Sequence, residues 1–231
     1  MDQGVNAARE ALLDAMVMHV PFDGWSEASL KAAARDLDMS RDEVSAICPR
    51  GAIDLAAAYH KRGDAALEMV LAQADLGAMR VRERVAFAVR SRLEASDDKE
   101  TVRRGTALFA LPQHAAEGAK LIWGTADTIW DALGDTSDDF NWYSKRAILS
   151  GVYSSTVLFW LGDDSVQDQA TWAFLDRRIE DVMRFEKVKG QVNDNKLLKR
   201  LFAGPNWLLS QIKPPNRQMR TDLPGRWGGT K

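Results

Sequence analysis

The residues with the most chemical character lie between Gly134 and Arg146, in the run GDTSDDFNWYSKR. An acidic stretch is followed there by an aromatic pair, Trp142 and Tyr143, and then by two cations, Lys145 and Arg146. Large aromatic side chains with a charged rim are typical of protein interfaces and of sites for amphiphilic ligands. Because the run holds no nucleophile beside a base, it predicts binding rather than a reaction.

Other groups with reactive or metal-binding side chains are isolated in the sequence. His19, His60 and His114 are far apart and lack Glu or Cys neighbours at the spacing of metal ligands, so each is predicted to be an ordinary helix residue. The aspartates of 135–139 lack the twelve-residue ligand pattern of a calcium loop. Cys48 is predicted to be a small buried hydrophobe. We therefore expect no catalytic residue, no metal and no cofactor.

Charge is unevenly distributed along the 231 residues. The net charge of −2 combines −10 over residues 1–186 with +8 over residues 187–231. A basic end on an acidic body favours binding to an anionic surface, either a membrane or a nucleic acid. The single cysteine excludes an intramolecular disulfide and suits a reducing compartment. No signal segment or spanning apolar run is visible, so the sequence predicts a cytoplasmic protein or one lying on a membrane from the cytosolic side.

Helical periodicity dominates the chain and predicts an all-α fold without strands. Ser26 and Ser40 are predicted N-caps, and Pro21 is predicted to end the first helix. The predicted helices are 7–20, 27–37, 41–47, 52–71, 81–95, 99–111, 115–133, 141–161 and 166–185.

The first helices have the order of a helix-turn-helix head. Three short helices precede a longer one, and AICPRGAIDLAAAY, residues 46–59, resembles the segment that joins the recognition helix to the connecting helix in TetR-type regulators. The electrostatics argue against DNA, because affinity for duplex comes largely from Lys and Arg. Residues 1–65 carry a net −4, and the candidate recognition helix offers one cation, Arg41, beside two acids. We expect a degenerate head that serves packing or dimer contacts.

Several long motifs resemble one known family. They are the Leu111-Pro112 turn, Ile129-Trp130, GDTSDDFNWYSKR and TWAFLDRRI at 171–179. A looser match extends over Trp25 to Tyr59 and includes FDGWSEASLKAAARDLDMS. With these motifs the chain resembles the ubiquinone-biosynthesis accessory protein family known as the ninth Coq protein. The close resemblance covers residues 108–183.

The resemblance implies a TetR-like all-α fold and a homodimer that binds lipids, including isoprenoid quinone intermediates, in place of DNA. It also implies a partner, the di-iron demethoxyubiquinone hydroxylase, to which the intermediate is handed. The expected location is the inner membrane of a bacterium, as a peripheral protein, or the matrix side of the mitochondrial inner membrane in a eukaryote. A TetR-type regulator with a lipophilic effector remains the alternative, and the sequence holds no acid–base or nucleophile constellation for an enzyme.

The resemblance also implies a surface patch for the hydroxylase. Trp142 and Tyr143 match that patch, and Ile129 and Leu133 match its other edge. Ile129 and Leu133 are four residues apart, so they share one helix face. The alternative is that all four side chains pack the corner between two helices.

The two cations after the aromatic pair have two interpretations. Lys145 and Arg146 either line the same partner-binding patch or pair with Asp138 and Asp139. Exposed pairs of this kind contribute only about 0–1 kcal/mol to stability, so stability does not decide between the interpretations.

A ligand cavity is expected between the inward faces of the body helices. Several tryptophans in one helical body would supply wide walls for a long apolar ligand. For any single residue, such an apolar stripe is more often part of a solid core than of a pocket, so the cavity is predicted from these residues collectively. The candidate lipid-binding residues are Phe109, Leu121, Trp123, Trp130, Tyr153, Leu158, Phe159, Trp160, Trp172 and Phe174.

The segment KLLKRLFAGPNWLLSQI, from Lys196 to Ile212, is basic and amphipathic. This pattern is typical of an interfacial membrane anchor, and each cation near an anionic leaflet contributes about 1 kcal/mol. The alternative is a helix folded back over the cavity or the dimer partner. The candidate membrane-binding residues are Lys196, Leu197, Leu198, Lys199, Arg200, Leu201, Phe202, Trp207 and Leu208.

The sequence therefore divides into four expected parts. A helix-turn-helix-like head spans residues 1–65, and a helical body for lipid binding and dimerisation spans 66–190. An amphipathic membrane-binding helix spans 191–213, and a flexible tail spans 214–231.

Overall fold

The computed structural model describes residues 2–96, 98–137 and 140–194. Within these ranges the regular structure is entirely helical, so the all-α prediction is confirmed. The helices are α1 Asp2–Asp23, α2 Glu27–Asp36, α3 Arg41–Ile47, α4 Ala52–Gln73, α5 Val81–Glu94, α6 Lys99–Phe109, α7 Ala115–Ala132, α8 Phe140–Leu161 and α9 Gln169–Asp194. Two short 3₁₀ turns, Leu76–Ala78 and Val166–Asp168, precede α5 and α9.

Local sequence signals set most helix boundaries. The hydroxyl of Ser26 accepts a hydrogen bond from the backbone N–H of Ser29, and Ser40 forms a capping box with Glu43. Both predicted N-caps are therefore present, and each satisfies backbone donors that the first helical turn leaves unpaired.

The prediction that the first helix ends at Pro21 was wrong. Helix α1 contains Pro21 and continues to Asp23. A proline removes a single backbone donor, and in the last turn few hydrogen bonds remain to be lost. The chain leaves the helix at Gly24, whose φ of 71° suits a residue without Cβ.

The core has two apolar clusters joined by α4. The head cluster includes Leu12, Leu55 and Ala56, and the body cluster includes Leu67 and Leu71. One continuous helix, α4, therefore supplies residues to both clusters.

Further contacts fix the head against α6 and α7. The indole N–H of Trp25 donates to the carbonyl of Thr101 at 3.2 Å. Arg50 forms a bidentate pair with Glu117, with both N–O distances 2.8 Å. In the described residues, no helix is long and apolar enough to cross a bilayer.

Candidate functional site

A cavity of about 410 Å³ lies between α4, α5, α6, α7 and α8. Four of the predicted lipid-binding residues line it: Phe109, Leu121, Tyr153 and Leu158. Tyr153 and Leu121 are buried, whereas Leu158 is 61% exposed. The exposed lining residues Ala110, Ala115, Ala119 and Leu158 therefore mark the mouth of the cavity.

The other six predicted lipid-binding residues do not line this cavity, so their role stays a prediction. Trp160 is buried in the body core, and Trp130 packs against that core. Phe159 and Phe174 stack on each other at 4.5 Å on the outer side of α8 and α9. Trp172 donates to the carbonyl of Gln167, and Trp123 belongs to the aromatic cluster described below. The apolar residues of one helix point toward different neighbouring elements, and only some of them border the cavity.

One wall of the cavity carries a buried polar network of Arg92, Asp64, His60 and Thr125, called here the Arg92 network. The Arg92 Nε donates to Asp64 Oδ1 at 2.7 Å, and Nη2 donates to the carbonyl of His60 at 2.8 Å. The hydroxyl of Thr125 lies 2.9 Å from Asp64 Oδ1 and 2.9 Å from His60 Nε2. The network thus connects α4, α5 and α7.

The surroundings keep His60 uncharged at neutral pH. Burial lowers the pKa of His60 to about 4, because the imidazolium form loses hydration, and Asp64 only partly opposes this effect. Burial also raises the pKa of the Tyr153 hydroxyl. Because Arg92 and Asp64 neutralise each other, the polar wall carries no net charge.

Sequence reasoning missed this network. His60 was interpreted as an ordinary helix residue, and neither Asp64 nor Arg92 was singled out. One signal was present: Gly63 is an unfavourable residue in the interior of α4. A Cβ at this position would overlap the guanidinium of Arg92, so glycine leaves the space that the arginine occupies.

The predicted partner-binding aromatics, Trp142 and Tyr143, form a second feature together with Trp123, which was predicted to bind lipid. We call these three residues the aromatic cluster. Ring centroids are 6.1 Å apart for Trp123 and Trp142, 6.4 Å for Trp123 and Tyr143, and 4.8 Å for Trp142 and Tyr143. Trp142 is only 6% exposed, whereas Trp123 and Tyr143 are half-buried. The outer layer of the cluster is therefore Trp123 and Tyr143, supported from beneath by Trp142.

Arg146 is fully buried beneath this cluster. Its side chain therefore does not line the surface of the predicted partner-binding patch, which was one of its two interpretations. Its guanidinium lies 4.0 Å from the centre of the Trp142 ring. It pairs with Asp127, with Asp131 at 2.9 Å and with Asp135 at 3.0 Å. We call these four charged residues the Arg146 network.

Lys145 also pairs with Asp135, at 2.7 Å, and donates to the hydroxyl of Ser137. Burial raises the pKa of Asp135, but hydrogen bonds from Lys145, Ser137 and Arg146 outweigh it and hold that pKa well below its usual range. The predicted partners Asp138 and Asp139 lie outside the described residues.

The other two predicted patch residues differ in position. Ile129 is fully buried in the body core, so the structure places it away from the surface and corrects its assignment to the patch. Leu133, at the end of α7, is half-buried and packs against the same core. The alternative of corner packing therefore describes both residues better.

The predicted membrane-binding residues lie outside the described residues. They are Lys196, Leu197, Leu198, Lys199, Arg200, Leu201, Phe202, Trp207 and Leu208. Their role remains a prediction from the sequence.

The remaining reactive group has an unreactive environment. Cys48 is buried, and burial raises the pKa of its thiol to about 11, so the thiolate is scarce at neutral pH. Over the described ranges, no three His, Cys, Asp or Glu side chains come together as a metal site.

The class of protein follows from the fold. The chain is similar to a solved TetR transcriptional regulator from Nitrosomonas europaea ATCC 19718, with a TM-score of 0.62 and 20% sequence identity. The match covers 75% of this chain and 97% of that chain. At this identity the likeness shows the fold alone, and the fold is TetR-like.

The family follows from the sequence comparisons. Residues 115–186 match the COQ9 family model. The chain is 32% identical over 189 residues to the mitochondrial ubiquinone biosynthesis protein COQ9 of Rattus norvegicus, covering 78% of this chain and 60% of that protein. It is 31% identical over 192 residues to the COQ9 of Drosophila melanogaster, covering 81% and 59%.

These matches confirm the predicted resemblance to the COQ9 family. The chain spans about 60% of the length of these relatives.

Proposed function

We propose that this protein is a non-enzymatic, lipid-binding accessory protein of ubiquinone biosynthesis. It binds isoprenoid quinone intermediates at a membrane and presents them to the demethoxyubiquinone hydroxylase. It acts as a homodimer on the inner membrane of a bacterium, or on the matrix side of the mitochondrial inner membrane. The names of its relatives, which are mitochondrial ubiquinone biosynthesis proteins, support this placement in the pathway.

The observation that carries the proposal is the cavity. Its volume of about 410 Å³ is in the range of small-molecule sites, and most of its lining is apolar. A solid helical core would leave few voids larger than a water molecule. The exposed mouth beside Leu158 offers a route for an apolar chain to enter.

The aromatic cluster supports a protein partner. Trp123 and Tyr143 form its half-buried outer layer, and Trp142 with Arg146 supports that layer from beneath. Rigid aromatic side chains are frequent hot spots in interfaces because they bury a large area and lose little entropy. We assign this surface to the hydroxylase.

The outer side of α8 and α9 supports self-association. Phe159 and Phe174 stack there, and Phe159 and Met183 are exposed by 37% and 50%. Exposed apolar side chains of this kind favour burial against a second copy. The basic sequence of residues 187–231, with a net charge of +8, favours attachment to an anionic membrane.

Native mass spectrometry of the full-length protein, purified from a quinone-producing bacterium, tests the proposal. We expect the mass of a dimer with a co-purified isoprenoid lipid, identified after solvent extraction. A protein that carries no lipid from such cells, and shows turnover of a quinone precursor without a partner, would contradict it.

The TetR-like fold is the observation behind a second candidate function, that of a DNA-binding regulator with a lipophilic effector. Helix α3 carries Arg41 beside Asp42 and Glu43, and Glu43 is already engaged in the capping box. Few donors therefore remain to contact phosphates or base edges. A salt-dependent shift of duplex DNA by the protein alone would revive this candidate.

A further inference from the structure

One wall of the cavity contains a charged side chain among mostly apolar neighbours. Arg92 is only 5% exposed and lines the cavity together with His60 and Tyr153. Removing a guanidinium from water is costly unless it is paired and hydrogen-bonded. An aliphatic ligand would gain nothing from this group, so its position points to a polar group on the ligand.

The guanidinium of Arg92 keeps donors for such a group. It has five N–H bonds, and the bonds to Asp64 and to the His60 carbonyl use one on Nε and one on Nη2. Among the described contacts, both hydrogens on Nη1 and one on Nη2 are left over. Nη1 lies over Gly63, where any larger residue would displace it.

The charges on this wall determine which kind of polar group of a ligand can bind there. Asp64 pairs with Arg92 at 2.7 Å, and its side chain is only 13% exposed. His60 is neutral, because burial lowers its pKa to about 4. A carboxylate or phosphate would therefore bring an uncompensated negative charge beside Asp64. A carbonyl or ether oxygen would accept a hydrogen bond without that repulsion.

We propose that the Arg92 network is a subsite for the uncharged, oxygen-bearing head of a lipid, such as the carbonyl groups of a quinone. The apolar chain of the lipid then runs toward Leu158 and the mouth. This inference rests on the proposed lipid-binding function and specifies the ligand class and its orientation. The ring is protected from water while the lipid is carried, and hand-over requires the lipid to leave through the mouth.

Two ligands of the same shape test the subsite in the full-length protein. 2-Decyl-1,4-benzoquinone has the carbonyl oxygens, and decylbenzene lacks them. Isothermal titration calorimetry should show that the wild type binds the quinone about tenfold more tightly or better, as expected for one hydrogen bond from a charged donor. The double variant Arg92→Met/Asp64→Asn, which removes both charges together, should bind the two ligands equally.

The matched control is Val157→Ala, because Val157 is an apolar lining residue. It should weaken both ligands by a similar factor and keep the preference for the quinone. Gly63→Ala is the second variant, in case the double variant does not fold by circular dichroism. It keeps both charges but displaces the guanidinium, and it should also lose the preference.

The possible outcomes separate the subsite from the lipid-binding function. If the wild type binds decylbenzene as tightly as the quinone, or if folded Arg92→Met/Asp64→Asn or Gly63→Ala keeps the preference, the subsite is wrong and the lipid cavity stands. The subsite is equally wrong if either of these two variants weakens both ligands alike. If the wild type binds neither ligand, the proposed lipid binding fails, and the subsite fails with it.

Discussion

Arg92 and Arg146 are both buried and both bound to carboxylates, but their surroundings differ. Arg92 pairs with one carboxylate, Asp64, and lines a cavity. Arg146 is fully enclosed and pairs with three carboxylates beneath an aromatic ring. The first arrangement leaves guanidinium donors without a protein acceptor among the described contacts, in a side chain that lines the cavity. The second uses its donors within the protein, so it fixes the aromatic cluster rather than binding anything itself.

The largest effect should come from Arg146→Met, because this change removes the buried cation that pairs with Asp127, Asp131 and Asp135. Breaking a buried charge network by removing one partner typically costs about 3–5 kcal/mol. Arg92→Met should cost less, since it leaves a single carboxylate, Asp64, without its cation, and Thr125 still donates a hydrogen bond to that carboxylate. Urea unfolding at neutral pH measures both losses.

Arg184→Met is the control for that comparison, because Arg184 forms an exposed pair with Glu180 and should change stability by only about 0–1 kcal/mol. If Arg92→Met destabilises the protein as much as Arg146→Met, the proposed difference between the two networks is wrong.

Acidification should lower the stability of the protein through His60, the neutral histidine of the Arg92 network. The folded-state pKa of His60 is about 4, against 6.5 for the unfolded chain, so the unfolded state binds a proton that the folded state does not. Stability should therefore fall as the pH decreases from about 6.5 to about 4, by about 3 kcal/mol from this residue.

His60→Gln removes this titration and keeps a side chain that forms hydrogen bonds. In this pH window the free energy of unfolding should change less steeply with pH in the variant than in the wild type. The difference in slope should correspond to at most one bound proton. Equal slopes in the two proteins would show that His60 is not held neutral. Asp64, Arg92 and Lys61 surround His60 and are present in both proteins.

Docking of the hydroxylase should depend on the outer layer above Arg146. Tyr143→Ala should weaken binding of the demethoxyubiquinone hydroxylase about tenfold or more, because truncating an interface hot spot typically costs at least about 2 kcal/mol. Its effect on folding should be smaller, since Tyr143 is only half-buried. Surface plasmon resonance with the purified hydroxylase measures the loss.

Trp172→Ala is the matched control, a half-buried aromatic outside the aromatic cluster, and it should leave hydroxylase binding unchanged. Trp142→Lys is a less specific test, because Trp142 is only 6% exposed and its loss also disturbs the core. Unchanged binding by folded Tyr143→Ala would remove the docking surface from this cluster.

The smallest effect should come from Glu117→Gln, which weakens the bidentate pair between the head and α7. Its partner Arg50 has a side chain that is 55% exposed, so solvent screens the pair. We expect a loss of less than about 1 kcal/mol in urea unfolding. A loss of stability as large as that of Arg146→Met would contradict the expectation that the buried arginine pairs contribute more to stability than the exposed pair of Arg50.

Local signals allowed much of the fold to be predicted. Ser26 and Ser40 begin their helices as expected, because a cap depends on neighbouring residues and needs no tertiary contact. Pro21 misled the prediction, because the cost of a proline depends on how much helix follows it.

The candidate site was only partly predictable. Leu121 lines the cavity and Trp160 packs the core, yet both satisfy the same apolar periodicity. Arg146 was predicted to be exposed or to pair with Asp138 and Asp139, but it pairs with residues of α7 and of the turn after it. These partners lie 11 to 19 residues away along the chain, and a helical pattern does not show which of them meet.

The sequence alone determined the helical elements, the aromatic pair and the resemblance to the COQ9 family, because each depends on residues that are close in sequence. The tertiary structure decided which apolar faces enclose a void, and it placed one arginine at that void and the other beneath the aromatic cluster. The reason is physical: burial and pairing depend on how separate helices cross, and amphipathic periodicity describes one helix at a time.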